Sequence, residues 1–249
     1  MSLVVQKYGG SSLATPELIK SVAARIRSAH DSEGNVVATV SAMGDSTDKL
    51  LSIASKVSEM PDLRELDVLL STGELQSCAL VAMALKSMGK RAVSLSGAQA
   101  GIRTDSSYGK AKIAGIDTGR INEELEKGNI VIVAGFQGVT GDSDITTLGR
   151  GASDLTAVAL AAGLNADRCE IYTDVEGIYT ADPRLVSDAR KMTQVGFEEM
   201  LELASYGAKM NPRSIELGMV YQVPILVASS FNNEPGTLIH DGDNMDTTV

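Results

Sequence analysis

One feature constrains the fold more than any other. Along the 249 residues, short runs rich in β-branched residues alternate with helical stretches, and small polar or glycine-rich turns join them. Residues 3–8 read as a strand and Gly9-Gly10-Ser11-Ser12 as a turn. Residues 16–30 read as a helix, with Leu18, Ile19, Val22 and Ile26 on one face and Pro16 in its first turn. Residues 36–40 form a second strand, after which Asp45-Ser46-Thr47-Asp48 offers N-caps for a helix through Leu50, Leu51 and Ile53. Residues 74–88 read as a buried helix closed by Gly89. Further strands are expected at 91–95, 130–134 and 169–173, with 223–227 as the last clear one. Helices are expected at 155–162, 197–204 and 214–218. Residues 135–151 carry five glycines and read as a loop or hairpin.

Strands separated by helices require crossover connections, so the sheet is expected to be largely parallel and covered on both faces. Ligands of such sheets sit beyond the carboxyl ends of the strands. Each unusual segment of this chain follows a predicted strand.

Composition narrows the ligand. Hydrophobic residues make up 43% and charged residues 22%, which places the chain among globular proteins and against disorder. A formal charge of -10 makes it a poor general binder of nucleic acid or anionic membrane, so an anion must be met by cations gathered locally. No apolar run approaches the roughly 20 residues of a membrane span, and the N-terminus enters a strand at once, unlike a signal peptide. Cys78 and Cys169 lack metal or redox spacing and fit a reducing cytoplasm. His30 and His240 read as surface residues without catalytic partners.

Several segments can carry chemistry. Lys7-Tyr8-Gly9-Gly10-Ser11-Ser12 lets the backbone approach phosphate oxygens, with Lys7 and a helix N-terminus in support. Its lysine precedes the glycines, so it is not a Walker A loop; a tight turn beside a surface lysine is the plainer account. Residues 41–48 are a second such turn, which helix capping alone also explains. Leu70-Ser71-Thr72-Gly73-Glu74 places a carboxylate at a helix start, where it answers the dipole or grips a substrate ammonium. In residues 146–154, Arg150 lies between two glycines and can clamp a carboxylate, while Asp154 can orient a lysine or help hold a metal–phosphate complex. In residues 172–184, Tyr179 can pack on a purine and Arg184 can meet phosphate, although a solvated loop accounts for them equally. Lys209 alone signifies nothing.

Together these segments carry a resemblance. Lys7-Tyr-Gly-Gly-Ser-Ser12, Ser41-Ala-Met-Gly-Asp-Ser-Thr-Asp48, Thr146-Thr-Leu-Gly-Arg-Gly-Ala-Ser-Asp154 and Thr173-Asp-Val-Glu-Gly-Ile-Tyr-Thr-Ala-Asp-Pro-Arg184 resemble the signature segments of the aspartate kinases, members of the amino acid kinase family. The likeness runs from about residue 3 to about Ile239. It implies a three-layer αβα sandwich with a mainly parallel central sheet, and ATP- and Mg²⁺-dependent phosphorylation of the aspartate side chain to 4-phospho-L-aspartate. It also implies one catalytic domain over residues 1–240, with an N-terminal lobe for aspartate and a C-terminal lobe for nucleotide. Residues 241–249 would be a polar tail.

By the same resemblance, Lys7, Asp154 and Lys209 are catalytic. Lys7, Tyr8, Gly9, Gly10, Ser41, Thr173, Asp174, Tyr179, Asp182, Arg184 and Lys209 meet the nucleotide, and Thr47, Glu74, Phe136, Arg150 and Ser153 form the aspartate pocket. A cytoplasmic homodimer is implied. Two departures stand out: Lys209-Met-Asn-Pro-Arg213 is shorter than the family's usual spacing, and Ala152 replaces a glycine. The family usually continues into ACT regulatory domains, so this chain is expected to lack one, and with it feedback control by lysine or threonine. Competing expectations are a kinase of the same fold acting on glutamate, N-acetylglutamate, carbamate or UMP, or a non-catalytic binder of nucleotide or oxyanion.

Overall fold

The computed structural model describes residues 2–208 and 210–241. The expectations for Lys209 and for the tail beyond Asp241 lie outside the described residues. In chain order the elements are β1 (Ser2–Tyr8), α1 (Pro16–Glu33), β2 (Gly34–Val40), α2 (Ser46–Val57), α3 (Leu63–Ser87), β3 (Ala92–Leu95), β4 (Ile102–Thr104), β5 (Ile113–Ile116), α4 (Gly119–Glu126) and β6 (Ile130–Ala134). There follow β7 (Gln137–Val139), β8 (Ile145–Thr147), α5 (Ser153–Leu164), β9 (Arg168–Thr173), β10 (Gln194–Val195), α6 (Phe197–Ser205), α7 (Pro212–Tyr221), β11 (Ile225–Ser229) and β12 (Thr237–Ile239).

Eight strands form the central sheet in the order β10-β12-β11-β9-β1-β2-β6-β3. Its pairings are parallel except between β11 and β12. All five residues of β6 are buried, as expected of a strand covered on both sides. Alternation along the strands divides the core. Val36, Ala38 and Val40 turn toward α1 and α3, joining Tyr8, Leu13, Ile26, Cys78, Val81 and Leu85. Val5, Val37, Val131 and Val133 turn toward the layer that supplies Ile121, Val158, Leu160, Phe197, Met200 and Ile215. Helix α5, rich in alanine and other apolar residues, is buried along most of its length because it lies directly on the sheet.

A second sheet, ordered β5-β4-β7-β8, contains the β7–β8 hairpin, in which Gln137 faces Thr147. Asp67 of α3 ties the hairpin to the helix. Buried, it accepts hydrogen bonds from Thr147 N (2.9 Å), Thr147 Oγ1 (2.6 Å) and Gly109 N (2.9 Å).

Helix α3 departs most from the sequence reading. It begins at Leu63, capped by Asp62, so Glu74 lies in mid-helix and no helix dipole bears on it. Gly73, a weak helix former, sits in the helix interior. A Cβ on it would stand 2.9 Å from the Ala42 side chain, so the glycine serves close approach of helix and turn. The helix is also 25 residues long and strongly apolar. By length and composition it could therefore cross a bilayer, contrary to the expectation above. In the fold its residues Leu70, Cys78, Val81, Ala82 and Leu85 are buried, together with Asp67 and Glu74. Strand β12 follows β11, beyond the last strand that is clear in the sequence.

Candidate functional site

Because β1, β2, β6, β9 and β11 run parallel, the turns after them gather at one edge of the sheet. The Gly9-Gly10 turn lies between two others. Gly9 N donates to Tyr172 O (3.3 Å), and Gly44 N donates to Gly10 O (3.0 Å). A Cβ on Gly10 would stand 2.8 Å from the Ala42 carbonyl and 3.1 Å from that of Gly44, so only glycine lets these backbones meet.

Lys7, next to last in β1, points toward the start of α5. Its Nζ lies 2.8 Å from Asp154 Oδ1, and both side chains are 12% exposed. Asp154 Oδ1 is buried and makes no hydrogen bond of ordinary geometry, so charge holds the pair. A Cβ on Gly9 would come within 3.3 Å of the ammonium. Thr39 sits opposite Lys7 in the parallel register, fully buried, and its Oγ1 has no hydrogen-bond partner. Ser153 Oγ and Thr39 Cγ2 both lie 2.9 Å from where a Gly135 Cβ would be. Lys7, Thr39, Gly135, Ser153 and Asp154 thus converge.

Glu74 reaches the turn after β2 from α3. Its Oε1 accepts from Ala42 N (3.2 Å), while Oε2 is buried without a partner. Burial pushes its pKa up to about 7. A buried carboxyl with an idle oxygen at the edge of such a sheet is a natural place for a cationic group to bind. Thr47 lies half-buried in the first turn of α2, and Ser41, also half-buried, follows β2. Phe136 has φ 67, a conformation costly for a bulky residue. Its amide donates to Thr156 Oγ1 (3.1 Å) and its ring packs with Leu70, Leu148 and Leu155.

On the other side of β1, Thr173 Oγ1 donates to Asp174 Oδ1 (3.1 Å), and the hydroxyl of half-buried Tyr179 donates to Glu176 Oε2 (3.3 Å). The loop from 173 to 184 thus follows β9 as expected.

Tyr8, Arg150 and Arg184 are placed apart from the residues that converge. Tyr8 cannot offer its side chain to a nucleotide: the ring is buried under α1, stacked on Tyr172 at 5.1 Å. Only its backbone reaches the edge. Arg150 does not turn inward. It is 79% exposed and meets Asp48 at 3.1 Å, a surface pair of little energetic weight. Its flanking glycines have φ 90 and 73, so backbone geometry alone explains them. Arg184 is 81% exposed and folds back on Asp182, with Nη2 2.7 Å from Oδ2. His30 and His240 are half-buried, not open to solvent. Lys209 lies outside the described residues.

Sequence reasoning passed over Thr39 and Gly135. The available signal was a threonine within an otherwise apolar, wholly buried stretch of β2. A groove of about 600 Å³ between β5, α5 and α7 contains none of these residues. Among the described residues, no group of three or more His, Cys, Asp or Glu forms a metal cage.

A family model described as "Amino acid kinase family" matches residues 2–229. The chain is 55% identical over 241 residues to the aspartokinase of Corynebacterium glutamicum, covering 96% of this chain and 57% of that protein. Its structure is similar to that of aspartate kinase from Synechocystis, with a TM-score of 0.86 and 47% identity, over 98% of this chain and 41% of that one. It is also similar to E. coli aspartokinase III in complex with aspartate and ADP, with a TM-score of 0.86 and 28% identity, over 98% and 65% of the two chains. The chain thus spans little more than half the length of the Corynebacterium protein.

Proposed function

Since this chain belongs to the amino acid kinase family, we propose that it transfers the terminal phosphoryl group of ATP to the side-chain carboxylate of L-aspartate. The product is 4-phospho-L-aspartate. The observation that carries this reading is the largely covered Lys7–Asp154 pair at the glycine-lined edge of the sheet. The naming of similar proteins as aspartokinases, one of them solved with aspartate and ADP, supports it.

A carboxylate nucleophile is already ionised at neutral pH, so no general base is needed. The obstacle is repulsion between an anionic nucleophile and an anionic phosphoryl group. Phosphoryl transfer is governed by alignment and charge neutralisation. The Lys7 ammonium supplies the charge, Asp154 fixes its position, and the Gly9-Gly10 turn lets backbone amides approach the phosphates. Magnesium ordinarily takes one or two protein carboxylates together with phosphate oxygens. Asp154, beside Lys7 at the glycine-lined edge, would be such a carboxylate. When bound, the ion would neutralise phosphate charge.

The amino acid would lie among Thr47, Glu74, Phe136 and Ser153, with its ammonium toward Glu74 Oε2. Arg150, at the rim, would meet the incoming α-carboxylate. The nucleotide would lie along Ser41, Thr173, Asp174, Tyr179, Asp182 and Arg184. An acceptor panel of aspartate, glutamate, N-acetylglutamate, carbamate and UMP tests the assignment through ATP consumption. Turnover is expected with aspartate; turnover with another acceptor alone would reassign the substrate.

Two further outcomes are expected. Arg150→Ala raises the KM for aspartate by roughly tenfold, the worth of one charge-assisted contact. Stability stays within about 0.5 kcal/mol, because only an exposed pair is lost. An effect confined to the KM for ATP would contradict the role given to Arg150. The second concerns pH. Glu74 is protonated in the free chain below about 7 and cannot then pair with an ammonium. The KM for aspartate therefore falls as pH rises through about 7, and Glu74→Gln flattens the profile. The sign for folding is opposite. A carboxyl raised from 4.5 to about 7 favours the folded state at low pH, and that contribution is lost as pH rises across this interval.

A further inference from the structure

Arg25 lies in the middle of α1, outside the segments assigned to the site, yet it contacts both β9 and the loop after β11. Its guanidinium carbon sits 4.8 Å from the centroid of the Tyr172 ring. Its Nη2 donates to Asn232 O (2.6 Å) and to Asn233 Oδ1 (3.1 Å), both in the loop after β11. Tyr172 is the residue before Thr173, and its carbonyl holds Gly9 N. Asn232 Nδ2 in turn donates to Glu176 Oε1 (2.9 Å), and Glu176 Oε2 accepts from the Tyr179 hydroxyl (3.3 Å). The two loops are also joined directly, since Ser230 N donates to Thr173 O (2.9 Å).

From this chain of contacts we infer that Arg25 is a positioning residue for the nucleotide half of the site. It anchors the loop after β11, which through Asn232 and Glu176 fixes Tyr179. The inference rests on the nucleotide assignment of residues 173–184 proposed above. A planar guanidinium is suited to this task because it stacks on a ring face while its edge serves two acceptors. Lysine has a single nitrogen and cannot keep its charge over the ring while also reaching both acceptors in the loop. The stack is fixed from below as well. Glu170 Oε2 accepts from Tyr172 OH (3.1 Å) and from Gln6 Nε2 (2.8 Å), and Gln6 Oε1 accepts from Tyr8 OH (3.1 Å). Arg25 is therefore the link between a rigid aromatic base and the loop after β11.

The test is a titration of the purified chain with a fluorescent ATP analogue, together with KM values for both substrates and a melting curve. Arg25→Ala is expected to raise the Kd for the analogue by about tenfold, the effect of a misplaced binding loop, while the KM for aspartate changes by less than about twofold. Arg25→Lys falls between wild type and Ala. Asn232→Ala reproduces the nucleotide-side loss, and the double variant is weakened by less than the product of the two, as expected for residues acting in series. A lower melting temperature with Kd unchanged would reduce Arg25 to a staple of the fold and overturn the inference, as would equal weakening of both substrates. If wild type fails to bind the analogue, the nucleotide assignment falls and the inference with it. If wild type binds and Arg25→Ala binds equally well, the inference alone falls.

Discussion

Lys7→Ala lowers kcat by roughly a hundredfold or more, equivalent to about 2.7 kcal/mol of transition-state stabilisation. Aspartate and ATP both bring negative charge to the reacting centre, and the chain as a whole is acidic, so bulk electrostatics work against the encounter. Lys7 is held at the sheet edge with its side chain 12% exposed. In such a partly desolvated place a unit charge acts far more strongly than it would in water. Truncation removes that charge and leaves Asp154 facing the same anions alone, so attraction is replaced by repulsion. The loss belongs in kcat, because charge on the transferring group is redistributed at the transition state and the fixed ammonium needs no reorganisation to meet it. Comparable kcat values for Lys7→Ala and wild type would remove Lys7 from the mechanism.

The second large effect is expected from Asp154→Asn. The amide keeps the shape of the carboxylate and discards its charge. Lys7 then loses its only close counter-ion among the described residues, 2.8 Å away and equally buried. Breaking such a pair from one side costs about 3 kcal/mol, because the remaining charge is left uncompensated. In a chain of this length that is a fall in melting temperature of about 6–12 °C. Activity should fall by about tenfold to a hundredfold as the ammonium loses its fixed position. The double variant Lys7→Ala/Asp154→Asn should be more stable than the sum of the single losses implies, since no orphaned charge remains. Full additivity in a thermal or urea titration would show that the two groups do not act as a pair.

The legible parts of this molecule were those in which neighbouring residues fix the outcome. Apolar runs such as 130–134 declared themselves as buried strands. The small polar turns after 8, 40 and 173 marked the edge at which a parallel sheet binds ligands. Lys7 and Asp154 were singled out from different segments, and the fold brings them together. What remained hidden depended on contacts between distant residues. Ser71-Thr72-Gly73 has turn chemistry, yet packing of Gly73 on Ala42 carries α3 straight through it. Strands β4 and β5, with three and four residues, are too short for a period of two to declare itself. Tyr8 had an equal chance of facing ligand or core until the stack with Tyr172 placed it in the core. The outward turn of Arg150 was equally invisible, because Asp48, which draws it there, lies about a hundred residues away in sequence. Thr39 offered a weak signal, a hydroxyl within a buried strand, whose meaning appears only when Gly135 and Ser153 are seen beside it.

The central claim is that this edge of the sheet aligns ATP with the side chain of aspartate for direct phosphoryl transfer. Trapping the acyl phosphate with hydroxylamine tests it most directly, using purified chain, ATP, Mg²⁺ and L-aspartate, with the Lys7→Ala variant alongside. The expected result is aspartyl hydroxamate that forms only when both substrates are present and nearly vanishes in the variant. ATP binding without hydroxamate from wild type, or equal hydroxamate from wild type and Lys7→Ala, would contradict the claim.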